Sequence, residues 1–260
     1  MSNLITLYDI PGKAAKDFAW SPNTWKARLV LNIKGLPYKT AWVEYPDIAP
    51  VAKKIGASHT SVSASGPHYT APFIEDPSHK AVVADSFKIA QYLDETYPDT
   101  PAVVPKGTAA LQNTFSDMFF EKVGYPIYSY INYQTMKQLP QRSEVYWRKT
   151  REASFGVAIE EIAPEGSEKR AEIWKKVIAG LKTIDASLSV QEEEFIAGGK
   201  PTFADVTVVA VLTWPKRILG EGSPEWQEIL QTDGGRWGRL MKAFEKWETV
   251  DEEGLKGIGA

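Results

Sequence analysis

Apolar residues follow two rhythms along this chain, and the change of rhythm divides it. The first run, Leu-Ile-Thr-Leu-Tyr-Asp at residues 4–9, is short, apolar and β-prone. After a Gly- and Lys-containing loop, Ser21-Pro22 reads as a helix start, with Ser at the N-cap and Pro at the first helical position. Trp25, Leu29, Val30 and Ile33 then share one helical face, and Gly35 predicts the stop. Residues 38–44 predict a second strand, so the chain opens strand–helix–strand, the pattern of a parallel pair with a crossover helix. A polar helix at about 46–55 is expected next, then a loop over 56–69 rich in Ser, Gly and His. Residues 71–76 and 81–84 predict two strands joined by a turn at 77–80. Asp85-Ser86 opens a helix carrying Ile89, Leu93 and Tyr97, which Pro98 ends.

From residue 108 the period is helical. Leu111, Phe115, Phe119 and Val123 mark a helix over 108–138, and Ile173, Val177, Leu181, Ile184 and Leu188 form a stripe over 168–190. Residues 202–219 and 236–248 are two further helices. Between the two halves, residues 98–107 hold Pro98, Pro101, Pro105 and Gly107 without any period. The expected organisation is a βαβ–ββα domain over 1–98, a linker over 99–107 and an all-helical domain over 108–260. Thr202 and Asp205 have capping-box spacing before a β-branched run that otherwise passes for a strand; the cap favours a buried helix.

Composition narrows the chemistry. Hydrophobic residues make up 43% and charged residues 24%, as in ordinary globular chains, and the formal net charge is −3 with no long basic run. Binding to nucleic acid through a phosphate-neutralising patch is not expected. No apolar stretch is long enough to span a membrane, and the first residues lack a secretory pattern, so a cytosolic protein is expected. With no Cys and three His, disulfides, thiolate metal sites and Cys nucleophiles are excluded. Nine Trp, eleven Tyr and ten Phe exceed what a core alone calls for and suit a protein that receives flat apolar molecules.

Three places carry candidate chemistry. Pro72 begins a strand although it cannot donate a ladder hydrogen bond. An edge strand would explain it; a cis Ala71–Pro72 bond would instead turn the Ala71 backbone outward, free to pair with a peptide-like ligand. Asp85 and Ser86 are good caps, and together they also fit the zwitterionic end of an amino acid, with the carboxylate on the helix N-terminus and the ammonium on Asp85. Ser21 reads as a cap too, yet a hydroxyl at a helix start can also donate to a thiolate. Lowering a thiol pKa by two units takes roughly 2.7 kcal/mol of preference for the anion, within reach of a hydroxyl donor and a helix terminus.

With these residues in hand the chain resembles the glutathione transferases. The matching stretches are Ser21-Pro22-Asn23-Thr24-Trp25-Lys26, Tyr69-Thr70-Ala71-Pro72, the run from Asp85-Ser86-Phe87 to Leu93-Asp94, and Phe195-Ile196-Ala197-Gly198-Gly199 with Thr202-Phe203-Ala204-Asp205. Ser-Pro-Asn-Thr-Trp and the long loop before Pro72 resemble the etherase-related fungal class FuA. The resemblance implies a thioredoxin-like N-terminal domain that binds glutathione as co-substrate and an all-α domain contributing an apolar site. It also implies a homodimer, and either aryl ether cleavage or a ligandin that binds aromatic compounds. On it, Ala71, Pro72, Asp85 and Ser86 bind glutathione, and Ser21 holds the thiolate, with Asn23 or Thr24 as alternative donors. Lys53, Lys54 and His59 are candidates for the glycyl carboxylate. The apolar site is expected between the 10–20 loop and the 108–138 helix, where Phe119, Tyr125 and Trp214 are candidates that ordinary core packing would equally explain.

Overall fold

Strand β1 (Ile5–Asp9) is buried at four of its five positions, because it is an inner strand. The computed structural model describes residues 3–257 except Ser65, Gln191 and Glu192. Helix α1 (Pro22–Lys34) crosses from β1 to β2 (Tyr38–Trp42), which pairs parallel to β1 from Ile5↔Tyr38 to Asp9↔Trp42. β5 (Phe73–Asp76) pairs antiparallel to the other edge of β1, and β6 (Ala81–Ala84) closes the sheet in the order β2-β1-β5-β6. Helix α3 (Ser86–Thr96) packs beside α1. This is the thioredoxin-like βαβ–ββα arrangement that the apolar pattern predicts. Gly35 ends α1 at φ 64°, a left-handed conformation that only glycine adopts without cost.

Two segments differ from expectation. The expected loop over 56–69 contains a hairpin, β3 (Ser61–Ser63) with β4 (Gly66–His68). Its strands are short and largely exposed, so no alternation of apolar residues announces them. The helix expected at about 46–55 is α2 (Ile48–Ile55), and it is amphipathic, burying Ile48 and Ala52.

The second half is helical, as expected, but its first long helix is broken. α4 (Ala109–Phe119) passes through a π-helical turn (Phe120–Gly124) into α5 (Tyr125–Tyr130) and α6 (Asn132–Gln138). Pro126 lacks the N–H that an uninterrupted α-helix needs, and the wider turn accommodates it. Here α9 (Glu168–Leu188) comes so close that a Cβ on Gly180 would lie 2.3 Å from the Lys122 carbonyl oxygen. α7 (Gln141–Phe155) gave no apolar stripe because only Ser143 and Trp147 are buried in it. α8 (Ile159–Ile162) and α11 (Pro224–Gln231) were likewise not singled out by the pattern. α10 (Phe203–Leu219) is buried almost all round and packs along α1, joining the two halves through one apolar core. α12 (Arg236–Phe244) and a 3-10 turn (Glu245–Trp247) follow.

Three polar devices fix the halves together. Arg28 of α1, fully buried, pairs with Asp9 at 2.7 Å and also meets Thr40 and Asp251. Asp251, just before α13 (Glu252–Leu255), accepts the Thr40 N–H at 3.0 Å and the Thr40 hydroxyl. The C-terminal segment is thereby strapped onto β2, with the Trp42 indole donating to the Gly254 carbonyl at 3.0 Å. Between the halves, Asp94 accepts the Val103 and Val104 N–H groups and the Lys34 ammonium, while Phe203 N–H donates to the Val103 carbonyl.

Asp205 holds the start of α10 as the capping spacing predicts. Its carboxylate accepts the Thr202 N–H at 2.8 Å, the Thr202 hydroxyl at 2.9 Å and the Ile196 N–H at 2.8 Å. Burial pushes this carboxyl up, with those donors opposing. Asp205→Ala would orphan buried donors at about 1–3 kcal/mol apiece and should lower the melting midpoint by at least about 5 °C; an unchanged melt would deny the carboxylate this role. Asp251→Ala should release the strap, seen as faster amide hydrogen exchange over residues 249–257 while α10 stays protected. Unchanged exchange there would mean that apolar contacts alone hold the segment.

Candidate active site

The N-terminus of α1 faces a cleft. Ser21 stands at the N-cap position, φ −69° and ψ 123°, but its hydroxyl makes no capping hydrogen bond. Its carbonyl accepts the Trp25 N–H at 2.9 Å and the Thr24 hydroxyl at 3.0 Å. Pro22 has no N–H, and helix geometry leaves those of Asn23 and Thr24 without an intrahelical acceptor. Thr24 itself is fully buried with its hydroxyl spent on the helix, so its side chain is not the exposed first-turn donor expected from the sequence. Asn23 is exposed, and its Oδ1 accepts from the Lys26 ammonium at 3.2 Å. Lys only donates, so this bond fixes the amide with its oxygen toward Lys26 and its NH2 at the other end.

A cleft of about 320 Å³ opens there, lined by Ser21, Asn23 and Ala71 and by Tyr45, Tyr146 and Arg151 among others. Residues 67–70, from the unexpected hairpin and the stretch after it, form its rim. The Ala71–Pro72 bond is cis, as the sequence context favours. Among the described residues, neither the N–H nor the C=O of Ala71 pairs with another backbone group.

Pro72, Asp85 and Ser86 do not line this cleft. The Pro72 carbonyl accepts the Asp85 N–H at 3.4 Å, which ties the strand start to α3. Asp85 caps α3, its Oδ1 taking the Phe87 and Lys88 N–H groups at 2.9 and 3.1 Å. Its φ of 84° is unusual for a residue with a side chain and marks a conformation held in place by its surroundings. A second cavity of about 460 Å³ lies on this side, lined by Asn23, Lys26, Ser116, Asp117, Phe120 and Tyr125 among others. Asn23 thus borders both spaces. Burial pushes the Lys26 ammonium down to about 8, with Asp85 and Asp117 pulling the other way, and Phe120 lies 5.5 Å beneath it.

Other candidates are sorted by their contacts. Tyr8 is turned from the cleft: its hydroxyl donates to Glu75 at 3.1 Å, and burial together with that carboxylate pushes it up to about 12. Lys53 lies 5.3 Å from the Tyr69 ring and His59 packs edge-on against it, so both flank the rim, whereas Lys54 makes no such contact. Phe119 and Trp214 are core: Phe119 is fully buried, and the Trp214 indole donates to Thr135 at 3.1 Å. Tyr125 borders the second cavity. The second-domain residues of this cleft come from α7, whereas Ser116, Phe120 and Tyr125, within 108–138, line the second cavity. Tyr45, Tyr146, Arg151 and Lys26 escaped sequence reasoning. Lys26 sat inside a quoted motif, but the α7 residues carry no motif or period.

With this geometry in place, comparison with known proteins is informative. Residues 17–101 match the family model for the glutathione S-transferase N-terminal domain, and residues 110–247 match that for the C-terminal domain. A crystal structure of a glutathione S-transferase of Ceriporiopsis subvermispora, in complex with glutathione, is 48% identical, with a TM-score of 0.94 over 96% of this chain and 100% of that one. Glutathione transferase GSTFuA3 of Phanerochaete chrysosporium is 43% identical, with a TM-score of 0.89 over 95% of this chain and 98% of that one. The glutathione S-transferase-like protein ustS of Aspergillus flavus is 30% identical over 88% of this chain and 85% of its own length. Two domain matches in the expected order, on a thioredoxin-like sheet followed by a helical bundle, place this chain in the glutathione transferase family.

Proposed function

We propose that the protein activates the thiol of glutathione at the N-terminus of α1 for attack on apolar or aromatic electrophiles, working as a homodimer. The observation that carries this reading is the Ser21 hydroxyl, placed at a helix cap, left without a capping bond and facing a cleft. The relative solved with glutathione, at 48% identity, supports the choice of co-substrate. An apolar groove along α4, with Leu111, Phe115 and Met118, supports the homodimer by offering a face for a second copy.

The donor set fits the tripeptide. Ala71 offers an unpaired N–H and C=O to the cysteinyl backbone, as an added strand would use them. The γ-glutamyl ammonium is assigned to the free Oδ2 of Asp85, and its carboxylate to Ser86 and the N–H groups of the α3 N-terminus. Lys53 or His59 beside Tyr69 serves the glycyl carboxylate, Lys54 less directly. Ser21, the Asn23 NH2 and the free N–H groups of the first turn then converge on the sulfur and favour its anion. Glutathione supplies the nucleophile: a sulfur lone pair forms the C–S bond while the leaving group departs with its bonding pair, a phenolate where the electrophile is an aryl ether. The chain's part is to hold the thiolate and the acceptor carbon together.

A second reading has its own support. Tyr45 and Tyr146 stack at 5.7 Å and both line the cleft, which suits a ligandin for aromatic compounds with little turnover.

Thiolate absorbance of bound glutathione, followed against pH, separates the two. A transferase should hold the thiol pKa about two units below that of free glutathione, and Ser21→Ala should return at least about one unit. Binding without a shift would favour the ligandin. A shift kept in Ser21→Ala but lost in Asn23→Ala would move the principal donor to the amide.

Lys26 gives a pH signature. It titrates near 8 in the fold against 10.5 unfolded, so between those values the unfolded chain binds more protons and stability rises with pH. The cost of the buried ammonium is therefore complete below about pH 8 and absent above about pH 10.5. The urea stability of Lys26→Met relative to the wild type should be greatest at pH 7, by at most about 3 kcal/mol, and should shrink toward pH 10. A difference that stays flat with pH would remove the titrating ammonium from the account.

A further inference from the structure

Arg151 is a cation without an anion. It lies on the second-domain wall of the cleft, and among the described residues no carboxylate pairs with it. Its Nη1 donates to the neighbouring Thr150 hydroxyl at 3.0 Å, and its Nε is buried with no acceptor. The arginines nearby are placed differently. Arg142 is paired with Asp47, and Arg148 with Glu152 and Glu160. A partly buried guanidinium without a carboxylate partner is costly unless something else completes it.

Its setting says what that is. The guanidinium carbon lies 3.9 Å from the Trp147 ring centroid and 5.8 Å from those of Tyr45 and Tyr128. Tyr45 stacks on Tyr146 at 5.7 Å, and both line the same cleft. The charge is thus held close against an aromatic shelf. A planar ring laid on that shelf brings a substituent within reach of the guanidinium. A carboxylate, sulfonate or phenolate oxygen there would gain charge-assisted hydrogen bonds where a neutral ring gains stacking alone.

We infer that the cleft selects planar aromatic ligands bearing an anionic oxygen, and that Arg151 is the residue that recognises that oxygen. This rests on the reading of the cleft as the place where the second substrate binds. One other anion is at hand, the glycyl carboxylate of glutathione. Lys53 and His59 both pack against Tyr69, so cations other than Arg151 are at hand for that carboxylate, which favours the aromatic ligand.

The test uses two fluorescent probes that differ by one group: anilinonaphthalene sulfonate and neutral N-phenylnaphthylamine. Each is titrated into the full-length wild type, Arg151→Gln and Arg151→Lys, with glutathione affinity measured in parallel. Loss of a hydrogen-bonded charge pair should weaken sulfonate binding by about ten-fold or more in Arg151→Gln, while the neutral probe stays within about two-fold. Arg151→Lys, which keeps the charge and loses the flat fork, should fall between. Equal weakening of both probes, or of neither, overturns the inference. So does a ten-fold loss of glutathione affinity with the probe ratio unchanged, which would assign the guanidinium to the glycyl carboxylate. If the wild type binds no glutathione yet discriminates between the probes through Arg151, the proposed transferase activity fails while this inference stands.

Discussion

The Asp9–Arg28 pair sets the angle between β1 and α1, and the rest of the molecule is arranged around that angle. Both side chains are fully buried, and Asp9 also accepts the Ile10 N–H at 2.6 Å, so the last residue of the strand is fixed to the middle of the helix. A buried ion pair adds little net stability when intact, but removing one partner strands the other at about 3–5 kcal/mol. That asymmetry makes the pair a positioning device. With the strand end and the helix locked, the N-terminus of α1 stands beside the end of the sheet, and Ser21 and Ala71 both line the cleft. The same guanidinium reaches Asp251, so the far end of the chain closes over the pair that its beginning makes.

The second half does two separate jobs. α10 is apolar on nearly every side and serves as the common core against which α1 is packed. Its polar end is also used, since Arg217 donates to the Lys16 carbonyl at 2.8 Å and pairs with Glu248 at 2.9 Å, holding the loop that leads into α1. α7 is the reverse, a polar helix with few buried residues that supplies a wall of aromatic and cationic groups. One helix fills the core and the other lines the cleft.

Polar groups are satisfied throughout most of the molecule, which gives the exceptions meaning. Asp85 uses its Oδ1, and Asp205 its carboxylate, to cap a helix start, as caps ordinarily do. Ser21 occupies the same kind of position and does not. Ala71 lies at the end of a sheet with an unpaired backbone, and Arg151 lies among aromatics with an unused donor. These three groups line one space from three elements.

The sequence by itself determined what local chemistry and short-range period can encode. Short β-prone apolar runs and helical spacing specified the βαβ–ββα order, and the Thr202–Asp205 capping spacing specified the buried α10. Ser-Pro, Ala-Pro and Asp-Ser marked two helix starts and a strand start, of which Ser21 and Ala71 line the cleft, and the motifs around them pointed to the family. The exposed β3–β4 hairpin and the polar α7 left no such trace, because exposed elements carry no apolar period. Thr24 looked like a donor because its position on the first turn is readable, but which way its hydroxyl turns is decided by packing. Tertiary structure alone brought Tyr45, Ala71 and Arg151 together from distant parts of the chain. It also left Arg151 unpaired where its neighbours on the same helix found carboxylates. Whether a charge is neutralised depends on what the folded chain places within a few ångströms of it, and no spacing along α7 records that distance.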